Sequence, residues 1–229
     1  MQRLTGAYIV SGAASGLGLA IARAIARAGA TPIVFDVNAP PDELRFKRVD
    51  VSDRTAVESA VARVAEEHRG IAGVVANAGV DACGPFADVS ADAWERVIRV
   101  NLIGTASLIR AALPHLIAAR GHVVTVASTL GLRALSDATA YCASKFGIVG
   151  LTRSLAKELS GQVSVTLLIP GGIQTSFFDG RTEQYKPGPD AHLNRPEDVA
   201  DSVLFALAQP HGCEVRELMV VPALETSWP

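Results

Sequence analysis

Residues 7–36 read AYIVSGAASGLGLAIARAIARAGATPIVFD, and this stretch decides the fold. Ala7-Tyr8-Ile9-Val10 is an apolar run of strand length that leads directly into Ser11-Gly12-Ala13-Ala14-Ser15-Gly16-Leu17-Gly18. Leu19 to Ala28 follows as an alanine-rich helix, stopped by Gly29. Thr31 to Asp36 is a second apolar strand, ending in a carboxylate eighteen residues past Gly18. Strand, glycine turn, helix, strand is one βαβ unit, whose two strands pair in parallel. Such a turn aims free backbone N–H groups and the positive end of a helix at a phosphate. Gly12 is expected to permit the tight turn, Gly16 to let backbone approach a pyrophosphate, and Gly18 to let helix pack on strand. Ser15 and Leu17 flank that approach. The spacing Gly-x-x-x-Gly-x-Gly differs from the commonest dinucleotide fingerprint, and a purely structural turn is the competing reading. Asp36 stands where an acid accepts hydrogen bonds from an adenosine ribose.

The pattern continues along the chain. A third short strand ends at Asp50-Val51. A fourth, Ile71 to Ala76, runs into the turn Asn77-Ala78-Gly79, at the strand end where open α/β sheets bind ligands. Asn77 is expected both to stabilise that turn and to border the ligand. Helices are expected near 53–68, 92–119, 137–160 and 195–209, and strands near 121–127, 162–169 and 215–221. This alternation predicts an α/β, doubly wound, Rossmann-type parallel sheet of about seven strands with helices on both faces. No linker or repeat divides it, so residues 1–229 are expected to form a single domain. The irregular stretch Ser176 to Asn194 is a candidate active-site lid, with a surface insertion as the alternative.

Chemistry concentrates at Tyr141-Cys142-Ala143-Ser144-Lys145. Residues four apart share a helix face at roughly 6 Å, so the ammonium favours the phenolate. Bringing a phenol from its reference pKa of about 10 to about 7 takes roughly 4 kcal/mol, which one lysine plus a second positive charge can supply. The competing reading is an amphipathic helix carrying both residues by accident. Against it stands the rarity of these types, four lysines and three tyrosines in the chain. Ser128 closes an apolar run thirteen residues before Tyr141.

Taken together, the chain resembles the short-chain dehydrogenase/reductase family, in its short single-domain branch, over nearly its whole length. The motifs run in family order: Ser11-Gly12-x-x-x-Gly16-x-Gly18, Asp50, Asn77-Ala78-Gly79, Asn101, Ser128, Tyr141-x-x-x-Lys145 and Pro170-Gly171-x-Ile173-x-Thr175. Ser11 stands where the family more often has threonine. The resemblance implies Tyr141 as acid/base, Ser128 holding the substrate oxygen, and Lys145 lowering the tyrosine pKa while binding the nicotinamide ribose. It implies Asn101 holding a water that links Lys145 to solvent; a polar helix-start residue is the alternative. It further implies Asp50 and Val51 among the cofactor-binding residues, and Thr175 and the Ile173 backbone holding the carboxamide after Pro170-Gly171.

The cofactor expected is NAD. A carboxylate at Asp36 welcomes a ribose 2′-hydroxyl and repels a 2′-phosphate, at roughly 4 kcal/mol for charges about 4 Å apart at an effective dielectric of 20. The places where relatives that prefer NADP carry a basic residue hold Ser15 and Val37-Asn38. The expected reaction interconverts a secondary alcohol and a ketone of moderate size. The substrate pocket is expected from Val80 to Phe86, Thr129 to Ala138, Gly171-Gly172 and the 176–194 stretch. Arg133, Asp81 and Asp137 are its polar candidates, with Asp137 better read as a helix N-cap. Alternatives are an NADP-linked ketoreductase similar to 3-oxoacyl-carrier-protein reductases, or a non-catalytic nucleotide-binding scaffold.

Composition narrows the partners. Hydrophobic residues make up 49% of 229 residues, which suits a sheet buried on both faces. Net charge is −2 without a basic block, so nucleic acid is not an expected partner. No run of 18 apolar residues marks a membrane span, and Met1 to Gly6 is too short for a signal peptide. Cys83, Cys142 and Cys213 fit reduced thiols in a cytoplasmic protein, and no metal-ligand spacing occurs. Leu102, Ile103, Ala106, Ile109, Leu113 and Leu116 make one segment more apolar than a sheet contact needs. With the resemblance, they predict a homodimer or homotetramer through this helix and the one carrying Tyr141. The close at Glu225 to Pro229 lacks the family's usual glycine-rich end, which favours the dimer.

Overall fold

A computed structural model describes residues 3–225. Seven parallel strands form one sheet: β1 (Ala7–Ser11), β2 (Thr31–Asp36), β3 (Arg45–Arg48), β4 (Gly73–Ala76), β5 (His122–Val126), β6 (Ser164–Pro170) and β7 (Glu217–Val220). Their order across the sheet is β3-β2-β1-β4-β5-β6-β7. The chain steps outward from β1 to β3, then returns to place β4 on the other side of β1. That reversal opens a crevice at the carboxyl ends of β1 and β4, where doubly wound sheets bind ligands.

Alternation along the central strands feeds two cores, because successive side chains leave a strand on opposite faces. Ile9, Ile33 and Val74 pack towards α2 (Arg54–His68) and the helical run Ala91–Ala119. Val10, Val34 and Val75 pack towards α1 (Gly16–Arg27) and the helix Pro196–Leu207. A third cluster, including Ile148, Leu167 and Ile169, seats α5 (Thr139–Glu158) beside β6. Both faces are covered, which explains why the strands read as unbroken apolar runs.

Several boundaries differ from the sequence reading for physical reasons. The first helix starts at Gly16, because Ser15 is the last extended residue. The third strand ends at Arg48, although the Val49 N–H still donates to Asp36 O at 2.9 Å. Asp50 then accepts from the N–H of Ser52 and turns the chain out of the ladder. The expected helix 92–119 is one run in three parts: α3 (Ala91–Ile98), a π-helical turn (Arg99–Gly104) and α4 (Thr105–Ala119). The wider turn carries Asn101 inward, a device often found at functional sites. This run, of 29 residues, is by length and composition long and apolar enough to cross a membrane. Here α4 lies on α2 and β4, with Leu108, Ala112 and Leu116 fully buried. The last helix, α6, is Pro196–Leu207, with proline in its first turn.

Candidate active site

The glycine turn depends on the space and dihedrals that only glycine offers. Gly12 and Gly16 hold φ of 64° and 53°. A Cβ on Gly18 would lie 2.2 Å from Gly12 O, so Gly18 is the contact that lets α1 pack on the turn. Ser15 precedes α1 without capping it, which leaves the first-turn N–H groups free of a side-chain acceptor and available to an anion. Asn77 clamps the turn from β4: its Nδ2 donates to Ser11 O and Gly12 O, both at 3.0 Å. The buried Ser11 hydroxyl accepts from the N–H groups of Asn77 and Ala78 at 3.0 and 3.1 Å. The small hydroxyl at position 11 therefore ties β1 to β4.

Asp36 ends β2 at the rim of the cleft. Its carboxylate accepts from Ala14 N at 2.9 Å and Asn38 N at 3.0 Å, so it orders the glycine turn as well as offering oxygens to a ligand. Arg48 pairs with Asp36 across the β2–β3 ladder, and its Nη1 donates to Val37 O at 2.5 Å. A cation therefore stands beside Asp36, reached through strand pairing, not through the neighbouring sequence positions. Asp50 accepts from Ser52 Oγ at 2.7 Å, and Val51 is buried against Gly104. Neither lines the central cleft.

Tyr141 and Lys145 share the first two turns of α5. The Lys145 Nζ lies 5.4 Å from the Tyr141 ring centre and donates to Val126 O at 2.8 Å. Ser128, at the carboxyl end of β5, lines the same cleft as the phenol and accepts from Leu130 N at 3.1 Å. Gly131 brings this loop against α5, since a Cβ there would meet Lys145 O at 2.8 Å. Asn101 is 1% exposed. Its Oδ1 accepts from Val80 N at 2.8 Å, while Nδ2 donates to Val80 O and Ser144 Oγ at 2.9 and 3.0 Å. It sits inside a helical run, which rules out the helix-start alternative. Its path reaches Ser144, the neighbour of Lys145, and ties the loop after β4 to α5.

These groups border one cleft of about 460 Å³. Gly12, Ser15, Gly16, Leu17 and Asp36 form one end, with Asn77 and Gly79 below. Ser128, Tyr141 and Lys145 form the middle, facing Pro170, Gly171, Ile173 and Thr175. Gly18, Ala78 and Asn101 stand behind these walls. A bridge between Ile173 and Asn194 pins the base of the segment between them, and Asn194 N also donates to Gly172 O at 2.9 Å. Phe177 of that segment lies 5.8 Å from the Tyr141 ring. Leu135, Phe178 and Leu193 add apolar wall.

The short chain dehydrogenase family model matches residues 7–186. The chain belongs to the short-chain dehydrogenase family. Among relatives of this family, it is 32% identical to cis-4-hydroxycyclohexanecarboxylate dehydrogenase of Sinomonas cyclohexanicum, covering 93% of each chain. It is 31% identical to glycine betaine reductase of Emericella nidulans, covering 93% of this chain but spanning only 18% of that protein's length. Its fold matches aldohexose dehydrogenase of Thermoplasma acidophilum with a TM-score of 0.87 at 26% identity, over 95% of this chain and 92% of that one. It also matches the alcohol dehydrogenase of Thermococcus sibiricus complexed with 5-hydroxy-NADP, with a TM-score of 0.83 at 26% identity, over 95% and 96%.

Within this short-chain dehydrogenase, burial governs the tyrosine and lysine of the site, and two sequence expectations need correction. Burial pushes the Tyr141 phenol up, Asp81 adds to that rise, and the Ser128 hydrogen bond and Arg181 oppose it. The protein alone therefore does not bring the phenol towards neutrality, because desolvation outweighs the neighbouring charges. Burial likewise pushes Lys145 down to about 8, against the pull of Asp81. Asp137 is no N-cap: it adopts a left-handed φ of 58°, and Ala138 precedes α5 without a side-chain cap. The Asp137 carboxylate instead accepts from the Tyr185 hydroxyl at 2.9 Å. Lastly, no residue from Val80 to Phe86 lines the cleft, nor does Arg133. Arg181 and Glu225 line it instead, and Glu225 Oε2 accepts from Gly172 N at 3.0 Å. Arg181 falls within the 176–194 stretch expected to line the pocket, whereas Glu225 sits in an irregular stretch that no local signal marked. Among the described residues no group of three metal-binding side chains gathers. Thr226 to Pro229, part of the unusual close, lie outside the described residues.

Proposed function

We propose that this chain is an NAD(H)-dependent oxidoreductase interconverting a secondary alcohol and a ketone, with Tyr141 as acid/base. One observation carries the reading: a single cleft joins the Gly12–Gly18 turn and Asp36 to Ser128, Tyr141 and Lys145. The residues fit a dinucleotide. Gly12 and Gly16 hold a turn open to only glycine, since φ is positive at both and a Cβ on Gly12 would lie 2.7 Å from Ala78 Cα. A bound nicotinamide supplies hydride transfer and, when oxidised, a positive charge that favours the phenolate. Tyr141 then accepts the proton of the substrate hydroxyl, or returns it to a ketone oxygen in reduction. Ser128 holds that oxygen, Lys145 stabilises the phenolate and offers hydrogen bonds to a ribose, and Asn101 steadies the start of α5. Ile173 and Thr175 orient the carboxamide, and Asp50 and Val51 border the adenine side.

Leu135, Phe177, Phe178 and Leu193 support a substrate with an apolar body. The Sinomonas relative's named substrate carries its hydroxyl on an apolar cyclohexane ring that also bears a carboxylate. A second reading, NADP-linked reduction, is favoured by Arg48 beside Asp36 and by the Thermococcus neighbour's bound NADP analogue. Exposed Ile103, in the π-helical turn before α4, and Phe146 on α5, at 51% and 45%, support pairing of two copies through these faces. The free thiols Cys83, Cys142 and Cys213 support a reducing, cytoplasmic setting. The test follows reduced-nicotinamide absorbance with each cofactor against alicyclic secondary alcohols and ketones. Turnover lost in Tyr141→Phe supports the reading; turnover with no substrate, or equal turnover in that variant, overturns it.

A further inference from the structure

The segment carrying Phe177 meets the loop after β4 through an ion pair whose Asp81 side chain is only 7% exposed. Arg181 Nη2 donates to Asp81 Oδ2, and Arg181 Nη1 donates to Tyr185 O at 3.1 Å. The same guanidinium lies 4.7 Å from the Phe178 ring centre and 5.5 Å from that of Phe177. Phe177 in turn lies on Tyr141, with ring planes 54° apart. One arginine thus organises an aromatic cluster against the reactive tyrosine. Exposed ion pairs contribute little, but a pair buried this far leaves a costly lone charge when either partner is lost.

The groups facing Tyr141 come from four places. Lys145 and the Cys142 thiol lie on its own helix, Ser128 ends β5, Asp81 follows β4, and Arg181 comes from the segment above. Around Asp81, Cys83 Sγ donates at 3.1 Å, and Asp137 is held by Tyr185. We propose that Asp81 and Arg181 are a positioning pair for Tyr141: Arg181 seats Phe177 on the tyrosine ring and cancels the charge of Asp81 beside it. The proposal rests on Tyr141 being the acid/base. The hydrogen bonds of Arg181 go to Asp81 and Tyr185, not to the Tyr141 hydroxyl.

The pair makes a prediction that mere structural support does not. Arg181→Met leaves Asp81 uncompensated, which disfavours the phenolate; Asp81→Asn leaves Arg181, which favours it. Both variants break the same contact and loosen the same segment, yet they displace the tyrosine in opposite directions.

The experiment titrates tyrosinate absorbance with and without saturating NAD, subtracting the same protein carrying Tyr141→Phe. The Tyr141 midpoint is expected to rise by about one pH unit in Arg181→Met and fall by about one in Asp81→Asn. Arg181→Lys, which keeps the charge, should stay within a few tenths of a unit of wild type. The pH profile of kcat/KM for any alcohol turned over should move with the same signs. Identical midpoints, or shifts of one sign in both variants, overturn the pair. If Arg181→Met fails to fold, Asp81→Asn and Arg181→Lys still decide it. The titration needs no substrate, so an absence of turnover would reject the proposed function while leaving this test intact.

Discussion

Replacing Asp36 with asparagine separates charge from hydrogen bonding at the cofactor end of the cleft. Ala14 N donates to Oδ2 and Asn38 N to Oδ1; asparagine keeps one of these contacts and loses the other, so the turn should loosen but persist. What disappears is the negative charge facing a 2′-phosphate. Two charges about 4 Å apart at an effective dielectric of 20 repel by roughly 4 kcal/mol, and screening at this half-open rim leaves about 1.4 to 3 kcal/mol. The NAD-to-NADP ratio of kcat/KM should therefore fall by about 10- to 100-fold in Asp36→Asn. Arg48 adds a second lever, since its guanidinium sits at Val37 O, next to the same site. Arg48→Met should weaken NADP more than NAD and reduce the salt dependence of NADP use. The assay is kcat/KM for each cofactor in wild type and both variants, at low and high ionic strength. An unchanged ratio in Asp36→Asn would refute the charge reasoning and leave Asp36 as an anchor of the glycine turn alone. Wild-type preference for NADP, abolished in Arg48→Met, would move the cofactor assignment to the second reading.

The other expectations concern the catalytic helix and its support. Tyr141→Phe should lower kcat by about 10²- to 10⁴-fold while NAD affinity, followed by fluorescence quenching, stays within a few fold. Lys145→Met should abolish turnover yet raise stability by about 2–3 kcal/mol at pH 7, because burial holds this lysine near 8 and its charged form is penalised in the folded state. The sign follows from that depression: between pH 8 and the ordinary lysine range the unfolded chain binds more protons, so wild-type stability rises and denaturant midpoints of the two proteins should converge. Asn101→Ala strips partners from Val80 and Ser144 and should cost about 2–4 kcal/mol in urea unfolding, with kcat falling alongside. On the proposed pairing, wild type should give a dimer in light scattering and Phe146→Asp a monomer; an unchanged mass would remove α5 from the interface.

What the sequence determined by itself was local. Alternating strand and helix patterns, the Gly12–Gly18 turn and the four-residue spacing of Tyr141 and Lys145 depend on neighbours within a turn or two. Short-range backbone geometry therefore sufficed to write the parallel sheet and the juxtaposed Tyr141–Lys145 pair into the chain. The uninterrupted apolar runs of β1 and β4 likewise implied burial on both faces, and Ile9 and Val10 do enter opposite cores.

Tertiary structure decided whatever depends on groups far apart in sequence. Arg48 reaches the Asp36 site only because β3 pairs beside β2, twelve residues on, so the positions flanking Asp36 gave no sign of it. Asp81 and Arg181 stand 100 residues apart and meet because Ile173 and Asn194 pin the intervening loop over the cleft. Asp137 reads as a cap from its place before α5, but a left-handed backbone turns it to Tyr185 instead. The tyrosine's ionisation is the clearest case. Spacing places a cation near the phenol, yet the degree of burial, which no spacing encodes, sets the direction in which the protein alone moves its pKa.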